Sequence, residues 1–185
     1  MFKGSIFAAA VAIGVSICGV AQAADLLDEI KSKGELTCGT LNYIPGVGYL
    51  NDKGEWSGFD VDFCKAAGAA ILGDASKVKF VALTGAQKFP ALQSGEIDIL
   101  SRSVTDTISR DTTLGFTFIG PNHMTGQGFM VHKDTGVTDV KQLDGASVCV
   151  LAGTVTERYL ADWFKSHDMS FQPVAAENSD QMFSM

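Results

Sequence analysis

The stretch Phe59-Asp-Val-Asp-Phe-Cys-Lys-Ala-Ala-Gly-Ala-Ala-Ile-Leu72, closed by Gly73 and followed by the alternating run Lys77-Val-Lys-Phe-Val-Ala-Leu83, decides the fold class. Phe59, Phe63, Ala66, Ala67, Ala70 and Ile71 repeat at helical spacing, and residues 77–83 alternate as a half-buried strand does. Ahead of them, residues 36–41 form an apolar run that reads as another strand. Working outward, residues 25–33 predict a short helix with Leu26, Leu27 and Ile30 on one face and Gly34 as its stop. Residues 42–51 read as a loop bearing Gly, Pro, Tyr43 and Tyr49, and residues 51–54 as a turn. A helix over 86–93 tolerates Pro90 only in its first turn. Strands are expected at 97–100, 116–119, 127–132, 146–151 and 171–175, a helical turn at 108–113, and helices at 137–143 and 154–166. The 154–166 helix has Tyr159, Leu160, Trp163 and Phe164 as its apolar side, and Asn178 caps a last helix. Strands alternating with helices imply an α/β fold with largely parallel sheets. There are two such runs, 34–118 and 129–185, separated by the Gly-rich passage 120–128. The second run holds two or three strands and stops inside a helix, which leaves sheet edge uncovered. The expectation is a piece of a longer protein whose second lobe is incomplete.

The chain has 185 residues, 46% hydrophobic and 19% charged, with 20 Gly and 4 Cys, a composition that excludes disorder, collagen and a disulfide-dense miniprotein. A net charge of −7 argues against nucleic acid or an anionic membrane surface as the main partner. Residues 1–23 read as a secretory signal peptide: Lys3 precedes an apolar stretch over 6–20, and Ala21-Gln22-Ala23 is a small-x-small cleavage site. A retained anchor fits this short core less well, and a lipid anchor on Cys18 lacks the small residue that Ile17 displaces. Export implies an oxidising compartment. Cys18 leaves with the signal, and Cys38, Cys64 and Cys149 remain. Cys38 sits on the first strand and Cys64 on the helix packing beside it, so a Cys38–Cys64 bridge is expected, with two buried free thiols as the alternative. Such a bridge closes a loop of about 26 residues and contributes roughly 3–4 kcal/mol in the chain-entropy model.

No enzyme constellation stands out. His123, His132 and His167 are scattered without metal-ligand spacing, there is no G-x-S-x-G, and Gly46-Val47-Gly48 is a lone G-x-G. No cofactor and no metal are expected. The most informative segment is Asp98-Ile-Leu-Ser-Arg-Ser-Val-Thr-Asp-Thr-Ile-Ser-Arg110, which places hydroxyls and two arginines just past the end of a predicted strand. That end is where open α/β sheets bind ligands. An arginine fork holds a carboxylate, and hydroxyls and carbonyls hold an ammonium; a polar capping loop with Arg110 in a surface ion pair is the plainer reading. Gly153-Thr154-Val155-Thr156-Glu157 opens a helix after a strand, so its amides suit an anion. It is equally an ordinary capping box, and the two readings are compatible. Tyr43 is a candidate wall for an apolar ligand stem, or simple loop packing.

Five blocks in order carry a family resemblance: Gly54-Glu-Trp-Ser-Gly-Phe-Asp-Val-Asp-Phe-Cys64, Ala91-Leu-Gln-Ser-Gly-Glu-Ile-Asp-Ile-Leu-Ser-Arg102, Ser109-Arg-Asp-Thr-Thr-Leu-Gly115, Gly126-Gln-Gly-Phe-Met-Val131 and Val148-Cys-Val-Leu-Ala-Gly-Thr154. The chain resembles the periplasmic amino-acid-binding proteins of ABC transporters, solute-binding protein family 3, and within it the general L-amino-acid-binding branch. The resemblance implies a periplasmic-binding-protein type II fold: a signal peptide over 1–23, lobe I over 24–120, a hinge crossover over 121–128 and a partial lobe II over 129–185. It implies a monomer in the periplasm that captures a free amino acid for a membrane permease. Arg110 would bind the α-carboxylate, the Ser103 carbonyl and Thr105 hydroxyl the α-ammonium, the Thr154 turn would add amides, and Tyr43 would wall the side-chain pocket. A later Asp for the ammonium, and a later Cys as the partner of Cys149, belong to the family beyond this stretch. Asp106 stands where the branch tends to have an aromatic, and either tilts preference towards basic or polar ligands or faces solvent. The rival readings are a periplasmic dehydratase-type enzyme on the same fold, and a sensor ectodomain.

Overall fold

The computed structural model describes residues 26–185; the signal peptide read at 1–23, and Cys18 with it, lies outside the described residues. Helix α1 (Leu26–Lys33) stops at Gly34 and buries Ile30. Leu26 and Leu27 of its expected apolar face stay largely exposed. Strand β1 (Leu36–Thr40) is buried along its whole length. The next segment corrects the loop expected over 42–51. It holds a small antiparallel meander of β2 (Tyr43–Ile44), β3 (Gly48–Leu50) and β4 (Trp56–Ser57), with Tyr43 opposite Tyr49 and Leu50 opposite Trp56. The expected turn at 51–54 joins two of these strands: Gly54 N–H donates to the Asn51 carbonyl at 2.9 Å, and the Asn51 side chain accepts from the amides of Lys53 and Glu55.

Helix α2 (Phe59–Leu72) has the expected bounds and ends on Gly73, whose φ of 72° is the left-handed conformation a glycine cap supplies. Its buried face is another matter. Asp60, Val61, Cys64 and Gly68 point inward, while Phe59 is 48% exposed and Ala66 and Ala70 face solvent. The cause is local. Cys64 is bonded to Cys38 of β1, as expected, with the Cα atoms 6.2 Å apart, and that tie turns the 61/64/68 face onto the sheet. Cys149 is a free, partly buried thiol.

Strand β5 (Val78–Ala82) runs parallel to β1, from Leu36 opposite Val78 to Thr40 opposite Ala82. Helix α3 (Lys88–Gln93) starts late enough to put Pro90 in its first turn. Strand β6 (Ile99–Leu100), shorter than expected, pairs with the other edge of β1 and gives the order β5–β1–β6. Leu83, Ala91 and Ile97 form a core beneath this sheet. Helix α4 (Ile108–Thr112) begins at a Thr107 cap. Neither 116–119 nor 127–132 is a strand, because no described strand lies alongside to complete a ladder. Phe116 instead stacks on Phe89 at 5.0 Å, and Ile119, Met124 and Met130 are exposed.

The helix expected over 137–143 is a single 3₁₀ turn at Val140–Leu143, closed by a capping box of Asp139 and Gln142. Strand β7 (Ser147–Leu151), helix α5 (Val155–Ser166) and strand β8 (Gln172–Ala176) then build a second parallel unit, with Ser147 opposite Gln172. Its own core is Leu143, Val150, Leu160 and Phe164. Tyr159 is largely exposed, so the inward side of α5 is narrower than expected. Asn178 caps α6 (Ser179–Ser184), accepting from Gln181 N–H at 2.9 Å.

Candidate functional site

Tyr43 follows β1, Ser103 and Thr105 follow β6, Arg110 lies on α4, and Thr154 sits in the turn between β7 and α5. These are carboxyl-end positions of parallel strands in both sheets. All five residues line one cavity of about 160 Å³, together with Leu41, Leu151 and Val155 and two cations that sequence reading did not assign, Lys88 and Arg102.

The loop carrying Ser103 is held by Asp60. This aspartate is 4% exposed and accepts from Ser103 N–H at 2.9 Å and from the Ser101 hydroxyl at 3.2 Å. Ser103 sits at φ 45°, a conformation that a non-glycine residue keeps only when its surroundings impose it. Asp60→Ala leaves these donors without a partner, and we expect a loss of about 1–3 kcal/mol in urea denaturation, with weakened ligand binding. An unchanged unfolding midpoint would rule this role out.

Arg110 is 7% exposed. Its Nη1 donates to the Thr105 carbonyl and its Cζ lies 4.8 Å from the centroid of the Phe89 ring. Burial first, then the Arg158 charge, hold its guanidinium below the ordinary arginine value. Arg102 is fixed more firmly: Nε donates to the Leu83 carbonyl at 2.7 Å and Nη2 to the Tyr43 hydroxyl at 3.2 Å. Tyr43 therefore both walls the cavity and anchors a cation. Lys88 is 2% exposed, its Nζ donates to the Gly153 carbonyl at 3.2 Å, and burial, with Arg102 and Arg110 nearby, pushes it down to about 8.

The Thr154 hydroxyl is consumed by the helix cap, donating to the Leu151 carbonyl at 2.7 Å and accepting from Glu157 N–H at 3.3 Å. Val155 and Thr156, in the first turn of α5, line the cavity with it. The helix-cap reading of Thr154 holds, but the reciprocal half of the expected capping box does not form, since the Glu157 carboxylate accepts from Gly153 N–H at 3.0 Å. The two units touch beside this turn: a Cβ on Gly85 would stand 2.6 Å from the Ala152 carbonyl oxygen, so glycine is required there. A second cavity of about 280 Å³ shares Arg110, Thr154 and Val155 and adds Arg158, Ser109, Thr113 and Leu114. Asp106 is exposed and is not among the residues lining either cavity. Lys88 gave little signal in sequence, since a lysine opening a short helix reads as a surface residue. Arg102 was visible as the first arginine of the 98–110 segment, but nothing there separated it from a solvated one.

Residues 36–182 match the family model of the bacterial extracellular solute-binding proteins, family 3. The chain is 48% identical over 172 residues to the glutamate/glutamine/aspartate/asparagine-binding protein BztA of Rhodobacter capsulatus, covering 93% of this chain and 51% of that protein. It is 45% identical over 178 residues to the general L-amino acid-binding periplasmic protein AapJ of Rhizobium johnstonii, covering 96% and 51%. Among solved structures, a periplasmic binding protein of an ABC transporter from Brucella ovis, with glutathione bound, superposes with a TM-score of 0.82 at 49% identity, over 87% of this chain and 51% of that one. The chain spans about half the length of the curated relatives it matches.

Proposed function

The chain belongs to the bacterial extracellular solute-binding proteins, family 3, and from that premise we propose that it is a monomeric periplasmic receptor, exported by the signal peptide at 1–23, that binds a free amino acid and delivers it to the permease of an ABC transporter. It has the type II periplasmic-binding-protein fold, and its curated relatives are binding proteins. We read residues 24–120 and 129–185 as its two lobes and 121–128 as the crossover, in keeping with two separate cores. It acts as a binding protein, not an enzyme.

The observation that carries this reading is the meeting of Tyr43, Ser103, Thr105, Arg110 and Thr154, from both units, around one cavity. Arg110 keeps most of its five donors for a ligand, and its fork suits an α-carboxylate. The Ser103 carbonyl and Thr105 hydroxyl accept from the α-ammonium. First-turn amides of α5 reach the carboxylate from the other side. One charge-assisted bond contributes roughly 1.5–3 kcal/mol, whereas micromolar binding requires about 8 kcal/mol, so both units must enclose the ligand.

The test is isothermal titration of the full-length protein with the common amino acids, after a thermal-shift screen. The expected result is a dissociation constant of about micromolar or tighter for at least one of them. A folded protein that binds none overturns the proposal.

A further inference from the structure

One buried cation braces the whole carboxyl edge of the first sheet. Arg102 follows β6 and is 6% exposed. Its main chain is clamped on both sides, because the Ser101 hydroxyl and the Ser103 N–H both donate to the Asp60 carboxylate. Its side chain leaves that clamp towards the opposite edge of the sheet. In the order β5–β1–β6, the outer strands are two strand spacings apart, roughly 9–10 Å. Arg102 Nε donates at 2.7 Å to the carbonyl of Leu83, the residue after β5. Leu83 is itself fixed, since its N–H donates to the Thr40 carbonyl of β1 at 2.9 Å. The arginine is therefore a strut with both ends on rigid main chain.

What this strut holds is a wall of the cavity. Arg102 Nη2 donates to the Tyr43 hydroxyl at 3.2 Å, and Tyr43 lines the cavity. Left to itself, Tyr43 is weakly placed. It is half-buried, and it stands on the two-residue strand β2, which pairs with β3 in a sheet separate from β5–β1–β6. Strands that short have few ladder bonds to fix them. A ring pinned at its hydroxyl cannot swing aside. A bulkier ligand side chain must break a bond to a charged group to gain room, and a smaller one leaves space unfilled. We infer that Arg102 is a positioning residue that fixes the Tyr43 ring and thereby makes the cleft discriminate ligands by side-chain size. The inference rests on the receptor reading above, with Tyr43 as the wall of the side-chain pocket.

The experiment is titration calorimetry on the full-length protein with the common L-amino acids, repeated on Tyr43→Phe, Arg102→Met and the double variant, with thermal melts confirming the fold. Tyr43→Phe keeps the ring and cuts only the tie. In both single variants, affinity for the bulkiest ligand bound, relative to the smallest, should rise at least about fivefold. One methylene in an apolar pocket is worth about 10- to 200-fold, so a released wall is readable on this scale. The double variant should match Arg102→Met, since the tie is already gone. If the natural protein takes a single amino acid, the same release is read as binding of bulkier ones by both single variants. A Tyr43→Phe profile equal to that of the natural protein overturns the inference. An equal loss for every ligand in Arg102→Met also overturns it, because Arg102 would then only brace the sheet edge. Both results leave the receptor reading intact. Binding of none of the common amino acids by the folded natural protein removes that reading and the inference with it. Tyr43→Phe decides the matter should an Arg102 variant fail to fold.

Discussion

On the receptor reading proposed above, Arg110→Met should lower affinity for every amino acid bound by about 30-fold or more, while the ligand-free protein stays as stable or becomes more so. The two halves of this expectation have one cause. Arg110 is buried against Phe89 with a single side-chain hydrogen bond, to the Thr105 carbonyl, and burial already disfavours its charged form. Without ligand it is a desolvated charge, and replacing such a group by an apolar side chain of similar reach is often neutral or stabilising. On the reading proposed above, with ligand it would supply the fork for the α-carboxylate. Removing one partner of a buried charge pair costs about 2–5 kcal/mol, and each 1.4 kcal/mol is tenfold in affinity. Titration calorimetry and a thermal melt of the same preparation read both effects. A loss below about threefold would take the carboxylate away from Arg110. Arg110→Lys should not rescue binding, since an ammonium keeps the charge and loses the planar fork.

Replacing Cys38 and Cys64 together by alanine should lower stability by roughly 3–4 kcal/mol, the loop-closure value for the 26-residue separation. At this chain length that corresponds to a fall in melting temperature of roughly 6–16 °C. Both cysteines are fully buried between β1 and α2, so the smaller side chains also leave space behind. Reductant added to the natural protein should reproduce most of the shift, and the double variant should no longer respond to it. A double variant that melts within 2 °C of the natural protein, by about the margin of a single surface substitution, would show that the bridge adds nothing to the sheet–helix contact. The bridge does not line the cavity, so ligand affinity should change far less than stability.

Strand β1, helix α2, strand β5 and helix α5 were legible from periodicity and from their stops and caps: Gly73 closes α2, and Thr154 and Asn178 open helices where expected. The buried side of α2 was not. Its sequence is so rich in small residues that nearly any side looks packable, and what turns it inward is the bond to Cys38 and the lack of a side chain at Gly68. The meander over 43–57 was missed, with 42–51 read as loop and 51–54 as a turn, because strands of two or three residues show too little alternation to count. Residues 127–132 show the reverse error: a strand-like pattern, but no described neighbour to pair with. In the site, Ser103, Thr105 and Arg110 were readable because they follow a strand's carboxyl end. Asp60 was invisible as their support, because a carboxylate in the first turn of a helix needs no other explanation.

The close approach of Gly85 to the Ala152 carbonyl has a consequence for cargo handling. At Gly85 and Ala152 main chain lies against main chain, and no rotamer at that point adjusts to what has been captured. On the receptor reading proposed above, differences among ligand side chains would be taken up inside the cavity and leave that seam as it is. If the chain acts as the receptor proposed above and accepts several amino acids, it would show a transporter one and the same contour at this point for each, so that the membrane machinery would register that a molecule has been caught without reading there which one it is.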